Sequence, residues 1–279
     1  MSTVPGPIAP TSSATIGGLY AETFAPTASP RGVVVITHGY AEHCGRYREV
    51  AHVVVQAGWA VLSYDVRGHG KSPGERGYID RFDTYLNDLA AMLAAARKLA
   101  PAGAPVILLG HSHGSLITLR ALASDQPPDV SAAVVASPYL ALKLAVPAYK
   151  KLLGRVASRI APKLAQANEL RVEDLTSDPQ KQAERRADTL CFDVATARWF
   201  TEASAAQEYV ATHAHRIQVP TTWLVGGDDP IADPTRSRAV ASKIAGASYH
   251  DLVGFKHEVF NERERSQVFA HLTRALASA

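Results

Sequence analysis

The chain has 279 residues, of which 47% are hydrophobic and 20% are charged, and its formal net charge is +3. This length suffices for one large α/β domain or two small ones, and the ordinary composition excludes a disordered or fibrous protein. The mild basicity does not indicate nucleic acid, and we predict no such partner. The two cysteines, Cys44 and Cys191, are far apart, which predicts reduced thiols and not a disulfide framework.

The first residues, MSTVPGPIAPTSSAT, lack the basic and apolar regions of a signal peptide. We predict a flexible leader rich in Pro, Ser and Thr over residues 1–15. No apolar run reaches the roughly 18–20 residues that a membrane-spanning helix needs. The sequence therefore predicts a cytoplasmic protein, with peripheral contact at a lipid surface left open.

Short apolar runs alternate with helical patterns after the leader. The predicted strands are Gly32–Thr37, Ala60–Asp65, Val106–Gly110, Ser131–Ser137, Thr221–Gly227 and Ser248–Gly254. The predicted helices are Arg46–Gln56, Asp83–Leu99, Gly114–Ser124, Pro234–Ala245 and Glu262–Ala277. Such runs are typical of strands buried on both faces. Their alternation with helices predicts an α/β fold with a mostly parallel central sheet flanked by helices.

The alternation stops between Pro138 and Val219. That segment looks mostly helical, has no clear buried strand, and is too long for a simple crossover. We predict a core formed by residues 16–137 and 218–279, with a helical cap, or lid, over residues 138–217. The cap should cover the carboxyl ends of the strands, where open α/β sheets bind ligands.

The run VILLGHSHGSLI contains a G-x-S-x-G motif, Gly110 to Gly114, between a predicted strand and a predicted helix. A sharp turn in this context exposes the serine, and its glycines avoid collisions with neighbouring backbone. We predict that Ser112 is a nucleophile; the alternative is a structural Gly-rich turn. His111 and His113 adjoin it, but side chains that neighbour each other on a tight turn point apart. We expect the His113 imidazole to be a pocket wall or a solvated group.

The base and the acid should follow later strands, because the fold places them in the order Ser, acid, His. His257 lies in the loop after the last predicted strand, from which it can reach the serine. Asp229 lies where the chain leaves the preceding strand, and Asp228 is the alternative acid. Asp233 precedes Pro234 and is expected to cap the next helix.

An oxyanion hole needs a second N–H donor from the loop after an earlier strand. His38 and Gly39 allow a sharp turn there, so we expect the backbone N–H of Tyr40 to point at the developing charge. The backbone N–H of His113 is the first donor. No metal or organic cofactor is required by this chemistry.

Six blocks occur in order along the chain. They are HGYAEHCGRY (His38–Tyr47), DVRGHGKSPGERGYIDRFDTYLNDL (Asp65–Leu89), GHSHG (Gly110–Gly114), TSDP (Thr176–Pro179), GGDDPIAD (Gly226–Asp233) and GFKHEVFNE (Gly254–Glu262). Together they resemble the monoacylglycerol lipase and lysophospholipase family of α/β-hydrolases. The resemblance implies Asp229 as catalytic acid, His257 as base, and hydrolysis of monoacylglycerols or related single-chain esters.

The chain departs from that family at two positions after the nucleophile. The family usually has Met or Gln where this chain has His113, and a second Gly where it has Ser115. The N–H donor at position 113 belongs to the backbone and does not depend on the side chain. The different side chain leaves the substrate preference open. Lysophospholipase, general carboxylesterase, aminopeptidase and carbon–carbon bond hydrolase are alternatives, and a non-catalytic binding protein of this fold is another.

A basic amphipathic helix is predicted over Lys150–Leu164, with Pro147 near its start. Its cations recur every four residues, at Lys151, Arg155, Arg159 and Lys163, and its apolar stripe is Leu153, Val156, Ile160 and Leu164. Two interpretations are open. The helix could rest on an anionic lipid surface as a lid, or it could bury its stripe on the core as an ordinary surface helix.

Overall fold

An eight-stranded sheet runs through the centre of the protein, whose computed structural model describes residues 5–144, 147–168 and 170–279. Its strands, together with two three-residue strands of a separate small sheet, are β1 (Ser12–Ile16), β2 (Leu19–Phe24), β3 (Val33–Thr37), β4 (Ala60–Tyr64), β5 (Val106–His111), β6 (Ala132–Ala136), β7 (Ala165–Ala167), β8 (Val194–Thr196), β9 (Thr221–Gly226) and β10 (Ala247–Leu252). The order across the large sheet is β1-β2-β4-β3-β5-β6-β9-β10. From β4 to β10 all neighbours are parallel, whereas β1 and β2 are antiparallel.

The helices of the described residues are α1 (Arg48–Gln56), α2 (Asp83–Ala96), α3 (His113–Leu122), α4 (Ala148–Ile160), α5 (Val172–Leu175), α6 (Pro179–Ala187), α7 (Ala197–His213), α8 (Pro234–Ala241) and α9 (Ser266–Ala277). None of them combines the length and the apolar character that crossing a bilayer requires.

Two apolar layers hold the helices on the sheet. In β3, Val33 and Val35 face a cluster formed with α2, α3, α7 and α8, while Val34 and Ile36 face a second cluster formed with α1 and α9. Successive side chains of a strand point to opposite faces, so a wholly apolar strand fills both layers. The predicted fold class, a mostly parallel sheet with helices on both faces, is confirmed.

The N-terminal hairpin was missed by the sequence prediction. Residues 12–15, assigned to the flexible leader, belong to β1, which pairs with β2 across a Gly17–Gly18 turn; residues 1–4 of that leader lie outside the described part. All but the last residue of β1 are exposed, so no apolar run marks it. The last predicted strand is also corrected: β10 is an edge strand with mostly exposed or half-buried residues.

The chain between β6 and β9, here called the insertion, carries α4 to α7 and the β7–β8 pair. Its last helix, α7, buries Trp199, Ala203 and Val210 in the first apolar layer. The middle of the insertion is tied to the core by ion pairs. Lys181 of α6 bonds Glu49 of α1 at 2.6 Å, and Glu49 also bonds Arg265 at 3.0 Å.

Candidate active site

Ser112 lies on the turn between β5 and α3, and its backbone is strained. Its φ is 50° and its ψ is −112°, a region that residues with a side chain rarely occupy. The turn is held because Ser112 donates its backbone N–H to Ala136 of β6 at 2.9 Å. The carbonyl of Ser112 accepts hydrogen bonds from Leu116 and Tyr139. Two neighbouring segments thus fix the serine over the carboxyl end of the sheet.

Glycine is required on both sides of this serine. A Cβ at Gly110 would lie 2.7 Å from the carbonyl carbon of Gly114. A Cβ at Gly114 would overlap the carbonyl oxygens of Thr37 and His38. The motif therefore reflects the close approach of α3 to β5 and to the loop after β3.

Ser112, His257 and Asp229 form one hydrogen-bonded chain. The Ser112 Oγ is 2.8 Å from His257 Nε2, and His257 Nδ1 is 2.7 Å from Asp229 Oδ2. All three residues are at most 7% exposed. Because a carboxylate can only accept, Nδ1 carries the proton and Nε2 is left to accept from the serine.

Asp229 and not Asp228 faces the histidine. The second oxygen of Asp229 accepts from the backbone N–H groups of Ile231 at 2.8 Å and Ala232 at 3.0 Å. Those bonds fix the carboxylate while its other oxygen stays on His257. Asp228 is exposed. Asp233 caps α8 by accepting from Thr235 at 2.9 Å, as predicted.

The electrostatics of His257 favour its protonated form. Burial opposes the charge, but the hydrogen-bonded Asp229 carboxylate, together with Glu258 and Glu42, outweighs burial and raises the pKa of His257 above 6.5. An imidazole whose cation is stabilised in this way is a stronger base for a neighbouring hydroxyl.

The loop after β3 passes beside Ser112. His38 is fully buried; its Nε2 accepts from the Val66 N–H at 2.9 Å, so its Nδ1 carries the proton and donates to the Gly39 carbonyl at 2.7 Å. A Cβ at Gly39 would lie 2.7 Å from Glu42 Oε1 and 3.3 Å from the Ser112 Cβ. Within the described residues, the backbone N–H groups of Tyr40 and of His113, the first residue of α3, have no acceptor.

The side chain of Tyr40 contacts the insertion. Its hydroxyl donates to the Val194 carbonyl at 2.7 Å, and its ring centroid is 3.8 Å from that of Trp199. The same residue therefore brings a backbone N–H to the site and a side chain to the insertion.

The two histidines beside Ser112 have different surroundings, and neither bonds to the serine. His111 lines the cavity, with its ring 5.1 Å from that of His257. The expectation for His113 was wrong, because its ring is fully buried among aromatic side chains of α2, of α7, of the residue before α2 and of the loop after β3: Tyr85, Trp199, Phe82 and Tyr40. Burial lowers the pKa of His113 to about 3, so the ring is neutral.

A buried ionic group beside the site was not singled out from the sequence. Glu42 accepts from the Gly39 N–H at 2.6 Å and from the Tyr47 hydroxyl at 2.7 Å. Arg46 bonds Glu42 at 3.0 Å and Glu258 at 2.5 Å. Glu42, Arg46 and Tyr47 belong to the HGYAEHCGRY block, which is the signal that could have pointed to them. Glu258, directly after His257, belongs to the GFKHEVFNE block in the same way.

The loop that carries His257 is fastened to the insertion. The Glu258 N–H donates to the Leu175 carbonyl at 2.7 Å. Glu262 accepts from the Lys256 N–H at 3.0 Å and from the N–H and the hydroxyl of Ser177. Ser177 belongs to the TSDP block, so this short element of the insertion supports the histidine loop from outside.

A cavity of about 810 Å³ opens above Ser112, within the range of about 300–1,000 Å³ typical of ligand pockets. Polar residues that line it include Glu42, Arg185 and Glu258, two of which are joined by Arg46. The apolar wall is supplied mainly by α4 and the residues after it: Tyr149, Leu153, Val156, Ile160 and Leu164.

One group of described residues has the donors for a metal ion: His43, Asp188 and Cys191. The Gly45 N–H donates to His43 Nδ1 at 3.2 Å, and His43 Nε2 is 2.7 Å from Asp188 Oδ2. The Nε2 proton is therefore committed to Asp188, and a metal would need a lone pair at that position. The group fits a hydrogen-bonded pair beside a thiol better than a ligand set.

The fold and this arrangement of residues define the class of the protein, an α/β-hydrolase. The profile of the family described as serine aminopeptidase, S33, matches residues 28–264. A phospholipase of Bacillus subtilis, YtpA, is 30% identical over 86% of this chain and 93% of its own length. A monoacylglycerol lipase of Mycolicibacterium smegmatis is 30% identical over 96% of each chain.

A similar solved structure supports the same assignment. The monoacylglycerol lipase of Paleococcus ferrophilus has a TM-score of 0.85 and 28% identity, covering 93% of this chain and 98% of that one. The chain belongs to the serine aminopeptidase S33 family of serine hydrolases, among its monoacylglycerol lipase-like members, which confirms the resemblance seen in the sequence.

Proposed function

We propose that the protein hydrolyses carboxylic esters of single-chain lipids, with monoacylglycerol as the main substrate and fatty acid and glycerol as the products. The observation that carries this proposal is the chain from Ser112 through His257 to Asp229 at the base of a cavity with one apolar wall. Lipases that act on monoacylglycerol are among the relatives that cover nearly the whole chain. An acyl chain fits the apolar wall, and a small polar alcohol fits beside the polar lining residues Glu42, Arg185 and Glu258.

The reaction follows from the positions of the protons. His257, oriented by Asp229, accepts the Ser112 proton while Oγ attacks the ester carbonyl. The N–H groups of Tyr40 and His113 donate to the oxyanion, and each such donor is worth about 3 kcal/mol of barrier. The tetrahedral intermediate collapses, His257 protonates the leaving alcohol, and an acyl-Ser112 ester remains. Water then repeats the cycle and releases the fatty acid.

We assign residues 138–217 as the cap over this site. Support comes from α4, whose apolar residues line the cavity, and from the way α6 is fastened to the core. Residues 145, 146 and 169 of this range lie outside the described part of the chain.

The cap also gives the protein a surface for lipid. Of the nine exposed large apolar residues in the described chain, eight lie between Leu142 and Leu164. Leu153 is 62% exposed and Ile160 is 79% exposed, so the apolar stripe of α4 is not buried on the core. Arg155 and Arg159 are exposed on the same helix; the side chain of Lys151 lies outside the described part. An apolar face beside cations favours peripheral binding to an anionic bilayer. A cytoplasmic location stays a prediction from the sequence.

Substrate hydrolysis tests the chemistry. The protein should cleave 1-oleoylglycerol faster than p-nitrophenyl acetate and should leave an aminoacyl amide intact. A fluorophosphonate should label it, and Ser112→Ala should abolish both labelling and turnover, whereas Ser124→Ala, after α3, should preserve both. Labelling that persists in Ser112→Ala, or amide cleavage faster than ester cleavage, would overturn the proposal.

Co-sedimentation tests the lipid surface. Phosphatidylglycerol vesicles at low salt should bind the protein, and Leu152→Ser with Ile160→Ser should reduce binding at least about tenfold, since each removes apolar contact with the bilayer. Val253→Ser is the matched control, because Val253 is 83% exposed outside the cap. If Val253→Ser lost as much vesicle binding as the variant with Leu152→Ser and Ile160→Ser, a specific role of α4 would be contradicted.

A further inference from the structure

Arg185 of α6 is a buried cation without an acidic partner in the described part of the chain. It is 9% exposed and lines the same cavity as Ser112 and His257. Its Nη1 contacts the Sγ of Cys191. Burial raises the pKa of Cys191 to about 12, so the thiol stays neutral and cannot balance the guanidinium. Among the described residues, no carboxylate forms an ion pair with Arg185.

Three described cations of the same region each have a carboxylate partner. Lys181, equally buried on the same helix, bonds Glu49 at 2.6 Å and Glu184 at 3.1 Å. Arg186 pairs with Glu173. Arg46 bonds two carboxylates. Buried charges are costly unless they are paired and hydrogen bonded, so Arg185 is the exception in this region.

The carboxylates near Arg185 already have their donors. Glu42 accepts from Gly39, Tyr47 and Arg46. Glu258 accepts from Arg46 and from Asn261 at 2.8 Å. Asp188 accepts from His43 and from the Leu190 N–H. Among the residues that the structure describes, this wall of the cavity offers no free carboxylate to the guanidinium, and a ligand can supply one.

We infer that Arg185 forms a subsite for an oxyanion carried by the alcohol part of the ester, such as the phosphate of an acylglycerol phosphate. The inference rests on the proposed function, because it assumes an ester carbonyl at Ser112. The acyl chain then lies along α4, and the polar alcohol lies toward Glu42, Glu258 and Arg185. A guanidinium can donate two parallel hydrogen bonds to a phosphate.

Turnover of two substrates that differ only by the phosphate tests this subsite. The wild-type protein should hydrolyse 1-oleoylglycerol and 1-oleoylglycerol 3-phosphate. Arg185→Gln should lower kcat/KM for the phosphate at least about tenfold more than it lowers kcat/KM for 1-oleoylglycerol. Arg186→Gln, one position further on the same helix, is the matched control. Arg185→Lys keeps the charge and should restore part of the selectivity.

Binding to Ser112→Ala separates this inference from the proposed function. In that background, Arg185→Gln should weaken binding of 1-oleoylglycerol 3-phosphate at least about tenfold, whether or not the parent enzyme hydrolyses it. Equal effects on both lipids, or no binding of the phosphate lipid, would overturn the subsite. Competition by glycerol 3-phosphate should depend on Arg185. If competition by oleate depends on it instead, Arg185 binds the released carboxylate and the inference is wrong.

Discussion

Glu262 binds Ser177 of the insertion through both the backbone N–H and the hydroxyl, while also holding the N–H of Lys256, next to His257. One buried carboxylate therefore joins the loop of the base to the TSDP block. Its side chain forms no hydrogen bond with Ser112 or His257, so we expect Glu262 to act by positioning.

We expect Glu262→Ala to lower kcat more than it raises KM, because His257 loses the support of its loop. The free energy of unfolding should fall by about 1–3 kcal/mol for the lost buried hydrogen bonds. Glu262→Gln, which keeps an acceptor, should recover part of kcat. Steady-state kinetics and thermal unfolding check this, with the exposed Glu264→Ala as control. A change in KM alone would argue against positioning.

Asp229→Asn should reduce kcat by about 10⁴-fold, as expected when the histidine loses its orienting carboxylate. Asp228→Asn should stay within about threefold of wild type, because Asp228 is exposed and Asp229 holds His257 at 2.7 Å. Rates on 1-oleoylglycerol compare the two directly. The reverse ranking would move the acid to Asp228.

The pH dependence should follow His257. Its pKa is raised above 6.5 because the carboxylates of Asp229, Glu258 and Glu42 together outweigh the opposing effect of burial. Only the neutral ring can accept the serine proton, so kcat/KM should be level at high pH. It should fall about tenfold per pH unit once the pH is below this pKa. A profile measured between pH 5 and 9 checks this; a flat curve, or a midpoint below 6.5, would count against His257 as the base.

Gly114→Ala should prevent the native turn, since the added methyl group meets the Thr37 and His38 carbonyl oxygens. We expect a loss of stability of at least about 3 kcal/mol, together with loss of activity. Gly6→Ala, where no atom lies within 4 Å of the added carbon, should behave as wild type. Circular dichroism and thermal unfolding distinguish the two. A stable, active Gly114→Ala protein would refute the steric argument.

Much of the fold can be predicted from the sequence because the interactions that determine it are local. Strands such as β3 are apolar on both faces and lie between turn-forming residues. The turn at Ser112 demands glycine at fixed spacing. Asp229 and His257 could be placed because the carboxyl ends of parallel strands meet at one edge of the sheet.

Features that depend on residues distant in the sequence could not be predicted from it. The exposed β1 has no apolar run, although the Gly17–Gly18 pair was a usable hairpin signal. The burial of His113 comes from aromatic residues as far away as Trp199. The ion pair of Arg46 with Glu258 joins residues 212 positions apart, and no local pattern encodes it.

Tyr40 has a consequence for modular exchange between relatives. Its backbone belongs to the loop beside Ser112, while its hydroxyl and ring are fitted to Val194 and Trp199. A chimaera that receives the insertion of another hydrolase would keep Tyr40 but lose both of its contacts. To exchange the insertion between relatives without losing these contacts, the residue at position 40 must be exchanged together with it.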